Sequence, residues 1–290
     1  MKYVTIKENG GGLPISRCCE LLKCSRSGYY AWENKQKSAP KHDELGLAVA
    51  RIFHKFKRRY GAIRIRNELK KEGIKASKKR IRRAMKKYGL VAKATKKFVV
   101  TTDSKHNLPV SPNLLMRNFD VPAPNRVWAA DFTYIATEFG WRYLAVIIDL
   151  FDRAIVGWSL ADNMKKELVM DTLKVAIKRR KPPKGLIVHS DRGSQYCSYA
   201  HQELLAKNGF LSSMSAKGDP WDNAVVESFF GTFKVELIHG EKWENEAKLV
   251  RDVREYIEID YNRTQQHSYL GYISPHEYMK NWLKTNQTAA

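Results

Sequence analysis

The hydrophobic pattern of the chain changes period near residue 127. Upstream, apolar positions recur three or four residues apart, the spacing of helices with one buried face. Leu45, Val49, Ile52, Phe53 and Phe56 form such a stripe over residues 43–57, with Asp43 placed as N-cap. Tyr60-Gly61 breaks it. Residues 62–71 predict a second helix that stops before Gly73. Ser77 caps a third, which runs through Ile81 and Met85 to Tyr88 and closes at Gly89. Ahead of these, residues 14–22 and a helix starting at Arg26 flank the turn Lys23-Cys24-Ser25. Two short helices about a three-residue turn are the skeleton of a helix-turn-helix. Residues 1–13, with Gly10-Gly11-Gly12, read as a flexible tail, and residues 34–41 as a polar linker.

Downstream, residues 127–135 and 141–150 are strand-like apolar runs around a loop containing Gly140, which is hairpin spacing. Residues 155–160 predict a third strand; 186–189 and 210–213 predict two short ones. Helices are expected over 165–178, 199–208, 222–237 and 245–262, the third with Asp222 as a cap. Strands followed by alternating helices and strands give a mixed sheet flanked by helices, an α/β fold preceded by an all-α region. The division is then a tail (1–13), a hairpin and linker (14–41), a three-helix domain (42–90), a connector (91–125), a sheet core (126–240) and a C-terminal helical segment (241–290). The connector carries Lys93, Lys96 and Lys97, then Pro109, Pro112, Pro122 and Pro124, and is expected to cross in extended form.

Charge separates the two halves further. The formal net charge is +22. Residues 1–126 hold 31 Lys and Arg against 9 Asp and Glu, while the rest of the chain holds 21 of each. A basic excess confined to the helical half marks a polyanion-binding region, with nucleic acid the expected polyanion. Arg64, Arg66, Lys79, Arg80, Arg82 and Arg83 are its candidate DNA contacts. No apolar run is long enough to span a membrane. Cys18, Cys19, Cys24 and Cys197 form no C-x-x-C pair and read as free thiols in a reducing cytoplasm.

The candidate chemistry lies in the neutral half. Asp131 interrupts the apolar run Val127-Trp128-Ala129-Ala130-Asp131-Phe132-Thr133-Tyr134-Ile135. Asp191 ends a strand before Arg192-Gly193. Glu227 opens a helix in Trp221-Asp222-Asn223-Ala224-Val225-Val226-Glu227. An acid inside an apolar strand is costly unless paired or metal-bound. Three carboxylates from two strands and a helix can converge and repel one another until a cation neutralises them. Hard oxygen ligands favour Mg²⁺ or Mn²⁺, and two such ions suit phosphodiester chemistry. Asp149, Asp152, Asp219 and Asp222 compete for these roles. His189, Ser190 and Asn223 stand beside the three acids as candidate supporting groups. Lys234 lies two helical turns beyond Glu227 on the same face, either to hold a phosphate or as a solvated lysine.

These residues resemble the DDE transposases of bacterial insertion sequences with a retroviral-integrase-type core. The resemblance rests on Trp128-x-x-Asp131-x-Thr133-Tyr134, on His189-Ser190-Asp191-x-Gly193-x-x-Tyr196, and on Asp222-Asn223-Ala224-x-x-Glu227-Ser228-Phe229-Phe230 with Lys234 following. Tyr261-Asn262 and His267-x-x-Leu270-Gly271-Tyr272-x-Ser274-Pro275 look like the group's C-terminal signature. The resemblance implies an RNase H-like core with Asp131, Asp191 and Glu227 as catalytic ligands of two Mg²⁺ ions, with Mn²⁺ as substitute. It implies cleavage of transposon ends and strand transfer into target double-stranded DNA, with Lys234 near the scissile phosphate. It also implies a homo-oligomer on DNA, nucleoid-associated in the bacterial cytoplasm. The chain looks like the second-frame product of a two-frame transposase; a first-frame partner or fusion would supply an end-binding domain, since no sustained heptad repeat occurs here. A DNA-binding regulator without catalysis and a related metal-dependent nuclease without strand transfer are the competing readings.

Overall fold

The computed structural model describes residues 1–9, 12–37, 43–93, 108–216 and 220–287. The start of the chain departs from expectation: its first residues are not a loose tail but helix α1 (Lys2–Asn9). Tyr3 and Ile6, three residues apart, share one face of it. They close a small core with Cys18, Cys19, Tyr29 and Trp32, in which Tyr3 stands 6.1 Å from the Tyr29 ring and 6.0 Å from Trp32. The other walls are α2 (Ile15–Leu21) and α3 (Arg26–Lys37), so α3 also continues through residues 34–37, expected as linker. Gly10, Gly11 and residues 38–41 lie outside the described residues.

The three-helix domain follows its sequence pattern closely. It comprises α4 (Glu44–Lys55), α5 (Ala62–Lys71) and α6 (Lys78–Lys87). Asp43 Oδ1 accepts from the Gly46 amide at 2.9 Å, and Ser77 Oγ accepts from the Arg80 amide at 3.3 Å, so both expected caps form. Val49, Ile52, Phe53, Ile65, Leu69 and Ile81 fill its core. The four cysteines carry free thiols.

The sheet has five strands in the order β3-β2-β1-β4-β5. They are β1 (Val127–Thr137), β2 (Gly140–Asp149), β3 (Ile155–Ala161), β4 (Ile187–Ser190) and β5 (Leu211–Met214). β1 to β3 form an antiparallel meander; β4 pairs parallel with β1 and with β5. This is the mixed RNase H-like sheet. Its hairpin strands run longer than their apolar cores, up to a two-residue turn at Glu138-Phe139. α7 (Lys166–Arg180), α8 (Ser194–Cys197) and α9 (Tyr199–Lys207) cover one face around Trp128, Val156, Leu173 and Val188. α10 (Ala224–Phe233) and α11 (Glu246–Glu255) cover the other, around Leu144, Val146, Phe229 and Tyr256. α12 (Pro275–Gln287) reaches the same core through Tyr278 and Trp282.

Two helices end in wide turns that periodicity does not reveal. α10 continues as a π-helical segment, Lys234–Ile238, and α11 as another, Tyr256–Thr264. The later part of the connector is not a free crossing either. Leu115 and Val121 are buried in the sheet core, and the Leu114 amide donates to Ser213 Oγ at 2.9 Å. Lys96 and Lys97 fall outside the described residues.

The helical domain docks on the segment after α11. Lys57 Nζ reaches Glu255 at 2.6 Å and Asp260 at 3.1 Å, Arg59 pairs with Asp260, and Tyr60 donates to the Thr264 carbonyl at 3.1 Å. Arg64 Nη1 stands 3.6 Å from Glu236 Oε1. No helix among the described residues is long and apolar enough to cross a membrane.

The packing can be probed at two positions. A Cβ at Gly157 of β3 would stand 2.6 Å from the Thr172 carbonyl and 2.8 Å from Ala176 Cβ, so α7 rests directly on the glycine. Gly157→Ala should destabilise the protein by about 1–3 kcal/mol in urea unfolding. His201 is buried against Tyr196, and burial pushes its pKa from 6.5 down to about 4. The unfolded chain therefore binds this proton first. Stability should fall as pH drops from 6.5 towards 4, by up to about 1.4 kcal/mol per pH unit for this group, and be unaffected by it above. Between about pH 7.5, above that window, and about pH 5, inside it, His201→Gln should lose less stability than wild type in urea unfolding.

Candidate active site

The register of two parallel strands places the first two acids. Val127, Trp128 and Ala129 pair with Ile187, Val188 and His189, and there the β1–β4 ladder stops. Asp131 and Asp191 each lie two residues beyond the last pair, Asp131 within β1 and Asp191 just after β4, on the side where parallel strands open a crevice. Asp191 is held by the turn that follows: its Oδ1 accepts from the Gly193 amide at 2.9 Å. A Cβ on Gly193 would meet that same oxygen at 3.0 Å, so a side chain there would press on the Asp191 carboxylate. Asp131 Oδ1 accepts from the Phe132 amide at 2.8 Å.

α10 brings the third acid across. Asn223, just before it, donates from Nδ2 to the Ala130 carbonyl at 3.3 Å, next to Asp131. Glu227 follows one turn later on an exposed face of α10. The three carboxylates lie within one electrostatic field. Burial pushes the Asp131 carboxyl well above the usual carboxylate range, and the charges of Asp191 and then Glu227 push it further. Burial also raises Glu227. Lys234 acts in the opposite sense on Asp131, while burial lowers its own ammonium. Its Nζ stands 4.7 Å from the centre of the Tyr134 ring, a cation–π contact three residues along β1 from Asp131. Tyr196 closes the site from the α8 side; burial and then the charges of Asp131 and Asp191 raise its phenol well above its ordinary value. Among the described residues, no group of three His, Cys, Asp or Glu side chains is close enough to enclose one ion as it stands.

The supporting residues divide. Asn223 bridges α10 to β1. His189 is buried between Ser213 Oγ at 2.9 Å and Ser215 Oγ at 3.2 Å, and burial holds its pKa at about 4. It is neutral at physiological pH and ties β4 to β5. Ser190 Oγ donates to the Asp191 carbonyl at 2.9 Å. The competing acids have structural partners. Asp149 accepts from the Asn125 and Phe151 amides, and Asp152 from the Ala154 amide and Arg180. Asp222 does not cap α10. It lies in the short 3-10 turn Pro220–Asn223, where Asn113 at 2.9 Å, Arg117 at 3.0 Å and the Ala216 amide at 2.9 Å donate to it. Asp219 lies outside the described residues.

Of the basic residues expected to contact DNA, Arg66, Lys79, Arg80, Arg82 and Arg83 are exposed. Arg64 instead turns towards the core, over the Tyr60 ring and beside Glu236. Sequence reasoning missed Tyr134 and Tyr196 as walls of the site, although both stand in the motifs that carry its acids.

The chain is similar to several known proteins. Family models described as "Integrase core domain" match residues 121–220 and 208–275, and one described as "HTH-like domain" matches residues 41–98. Solved structures with likeness to the chain include the HTLV-2 integrase catalytic core domain in complex with magnesium (17% identity, TM-score 0.42, covering 53% of this chain and 96% of that one). Another is the simian T-cell lymphotropic virus intasome in complex with PP2A regulatory subunit B56 gamma (14% identity, TM-score 0.47, 73% and 69% covered). The "Insertion element IS600 uncharacterized 31 kDa protein" of Shigella sonnei is 44% identical over 261 residues, 89% of this chain and 95% of that protein. "Transposase InsF for insertion sequence IS3A" of Escherichia coli (strain K12) is 42% identical over 285 residues, 96% of this chain and 98% of that protein. With such identity along nearly its whole length, the chain belongs to the transposases of bacterial insertion sequences.

Proposed function

We propose that this transposase, a polynucleotidyl transferase by family, cleaves the ends of its mobile element by hydrolysis and then transfers the freed 3′-hydroxyl strand into target DNA. The observation that supports this reading best is the placement of Asp131 and Asp191 just past the β1–β4 ladder with Glu227 of α10 in the same field. The donor set fits Mg²⁺, with Mn²⁺ as substitute: three carboxylates, no thiolate, and a buried histidine whose two ring nitrogens are both engaged by serines. Asp131 would serve both of two ions, and Asp191 and Glu227 one each. Bound there, the metal supplies activation of the attacking oxygen and neutralisation of the leaving one.

The chain's own residues do the rest. Asn223 holds α10 against β1, which fixes the distance between Glu227 and Asp131. Lys234 places an ammonium beside the carboxylates, where a phosphate diester can replace Tyr134 as its partner. Tyr196 excludes water from the floor of the site. The exposed cations Arg66, Lys79, Arg80, Arg82 and Arg83 bind the DNA backbone, whereas Arg64 contributes mainly by docking its domain. The working form is a homo-oligomer on DNA, and a first-frame partner or fusion supplies recognition of the ends.

Labelled transposon-end DNA and Mg²⁺, with the first-frame partner present, test the reading. Wild-type protein should nick and join, and Glu227→Gln should do neither while still binding duplex. Asn223→Ala should slow cleavage by about 10–100-fold, the usual cost of losing a partner that orients a ligand. Equal activity in wild type and Glu227→Gln would sink the assignment; gel shifts with no cleavage by any form would favour a regulator.

A further inference from the structure

The motif His267-x-x-Leu270-Gly271-Tyr272 takes no part in the carboxylate site. Its loop is closed by a bridge between His267 and Ile273, with the Tyr272 amide donating to the His267 carbonyl at 2.8 Å. Two successive residues are left-handed, Gly271 at φ 69° and Tyr272 at φ 65°. Glycine adopts that conformation freely, but a tyrosine there is strained, and such strain gathers where a side chain must be held in one direction.

Tyr272 lines a cleft of about 400 Å³ between this loop and the helical domain. Arg64, Lys78 and Arg82 form one wall; Ser268 and Tyr272 form the other. No carboxylate lines it. Among the described residues neither Lys78 nor Arg82 has an acidic partner, so two cations face the cleft uncompensated. Arg64 spends part of its guanidinium on Glu236 and keeps other donors of its five. The cations and hydroxyls offer donors from two sides, the chemistry of a tetrahedral anion with several oxygens.

We propose that this cleft seats a backbone phosphate of double-stranded DNA, clamped between α5 and α6 on one side and the loop of Ser268 and Tyr272 on the other. The inference rests on the DNA-acting role proposed above. It gives the C-terminal motif a role in holding DNA. The loop follows the segment that Lys57 and Arg59 dock, so a phosphate held here ties the DNA to the core as well as to the helices.

Fluorescence anisotropy of the full chain with labelled duplex, over a salt series, tests this. One duplex carries the terminal sequence of the element and a second is unrelated. Lys78→Ala and Arg82→Ala should each reduce the slope of log affinity against log salt by about 1 on both duplexes. Tyr272→Phe keeps the ring and removes only the hydroxyl; it should weaken binding several-fold at unchanged slope. Because both groups serve one phosphate, Arg82→Ala with Tyr272→Phe should lose less than the two single losses together. Thermal unfolding followed by circular dichroism should match wild type for each variant. Wild-type affinity in Tyr272→Phe and Ser268→Ala, or additive losses in the double variant, overturns the clamp and leaves DNA binding by the exposed helices standing. Failure of the wild-type chain to bind either duplex overturns the DNA-acting reading and the clamp with it.

Discussion

The buried carboxylate of Glu236 is the contact on which the arrangement of the two halves depends. Tyr256 donates to it at 3.0 Å, Arg64 stands 3.6 Å away and Arg59 4.0 Å. Burial raises its pKa, and the two guanidinium groups oppose that. An unpaired charge there would be strongly destabilising, so the carboxylate holds the helical domain in place. Glu236 also follows α10 directly. At about 100° per residue, Lys234 falls back on the face of Glu227, while Glu236 points about the opposite way. One helix and its π-helical continuation therefore carry Glu227 and Lys234 on the side of the carboxylate cluster, and an anchor for the basic domain on the other. The π-helical turn at Lys234–Ile238 lies where these two demands meet, a common place for such turns.

The active site itself works against stability. Asp131 is desolvated beside two like charges, and the fold concentrates that cost at the open end of a parallel ladder. What keeps the acids together is neutral: the Ala129–His189 pairing, the Asn223 bridge, and the serines around His189. The repulsion is relieved in part by Lys234, and the cation proposed for this site would relieve more of it. Added positive charge at this point would therefore stabilise the fold.

Much of this was legible in the sequence because local rules decide it. Asp43 and Ser77 cap the helices that follow them, and the apolar runs of β1 and β2 meet as a hairpin. The contexts of Asp131, Asp191 and Glu227 placed each on its expected strand or helix. The rest depends on partners far along the chain. Asp222 looks like an N-cap until Asn113 and Arg117 occupy it. α1 exists because Tyr3 and Ile6 meet Tyr29 and Trp32, which no window around residues 1–13 contains. Arg64 reads as one more surface cation, since its acid, Glu236, belongs to the other half.

That last case bears on how the charge split is to be read. The helical half is strongly basic, but its cations do not share one role. Lys57, Arg59 and Arg64 face acids at positions 236, 255 and 260, so part of the excess is spent on docking. The set on α6 (Lys79, Arg80, Arg82 and Arg83) is exposed instead. The neutral balance of the second half is likewise a sum of different things: acids that anchor the basic domain, acids that shape turns, and three that repel one another in the site. Net charge therefore divides the chain, but only the pairing of individual ions separates the cations that hold the protein together from those left exposed.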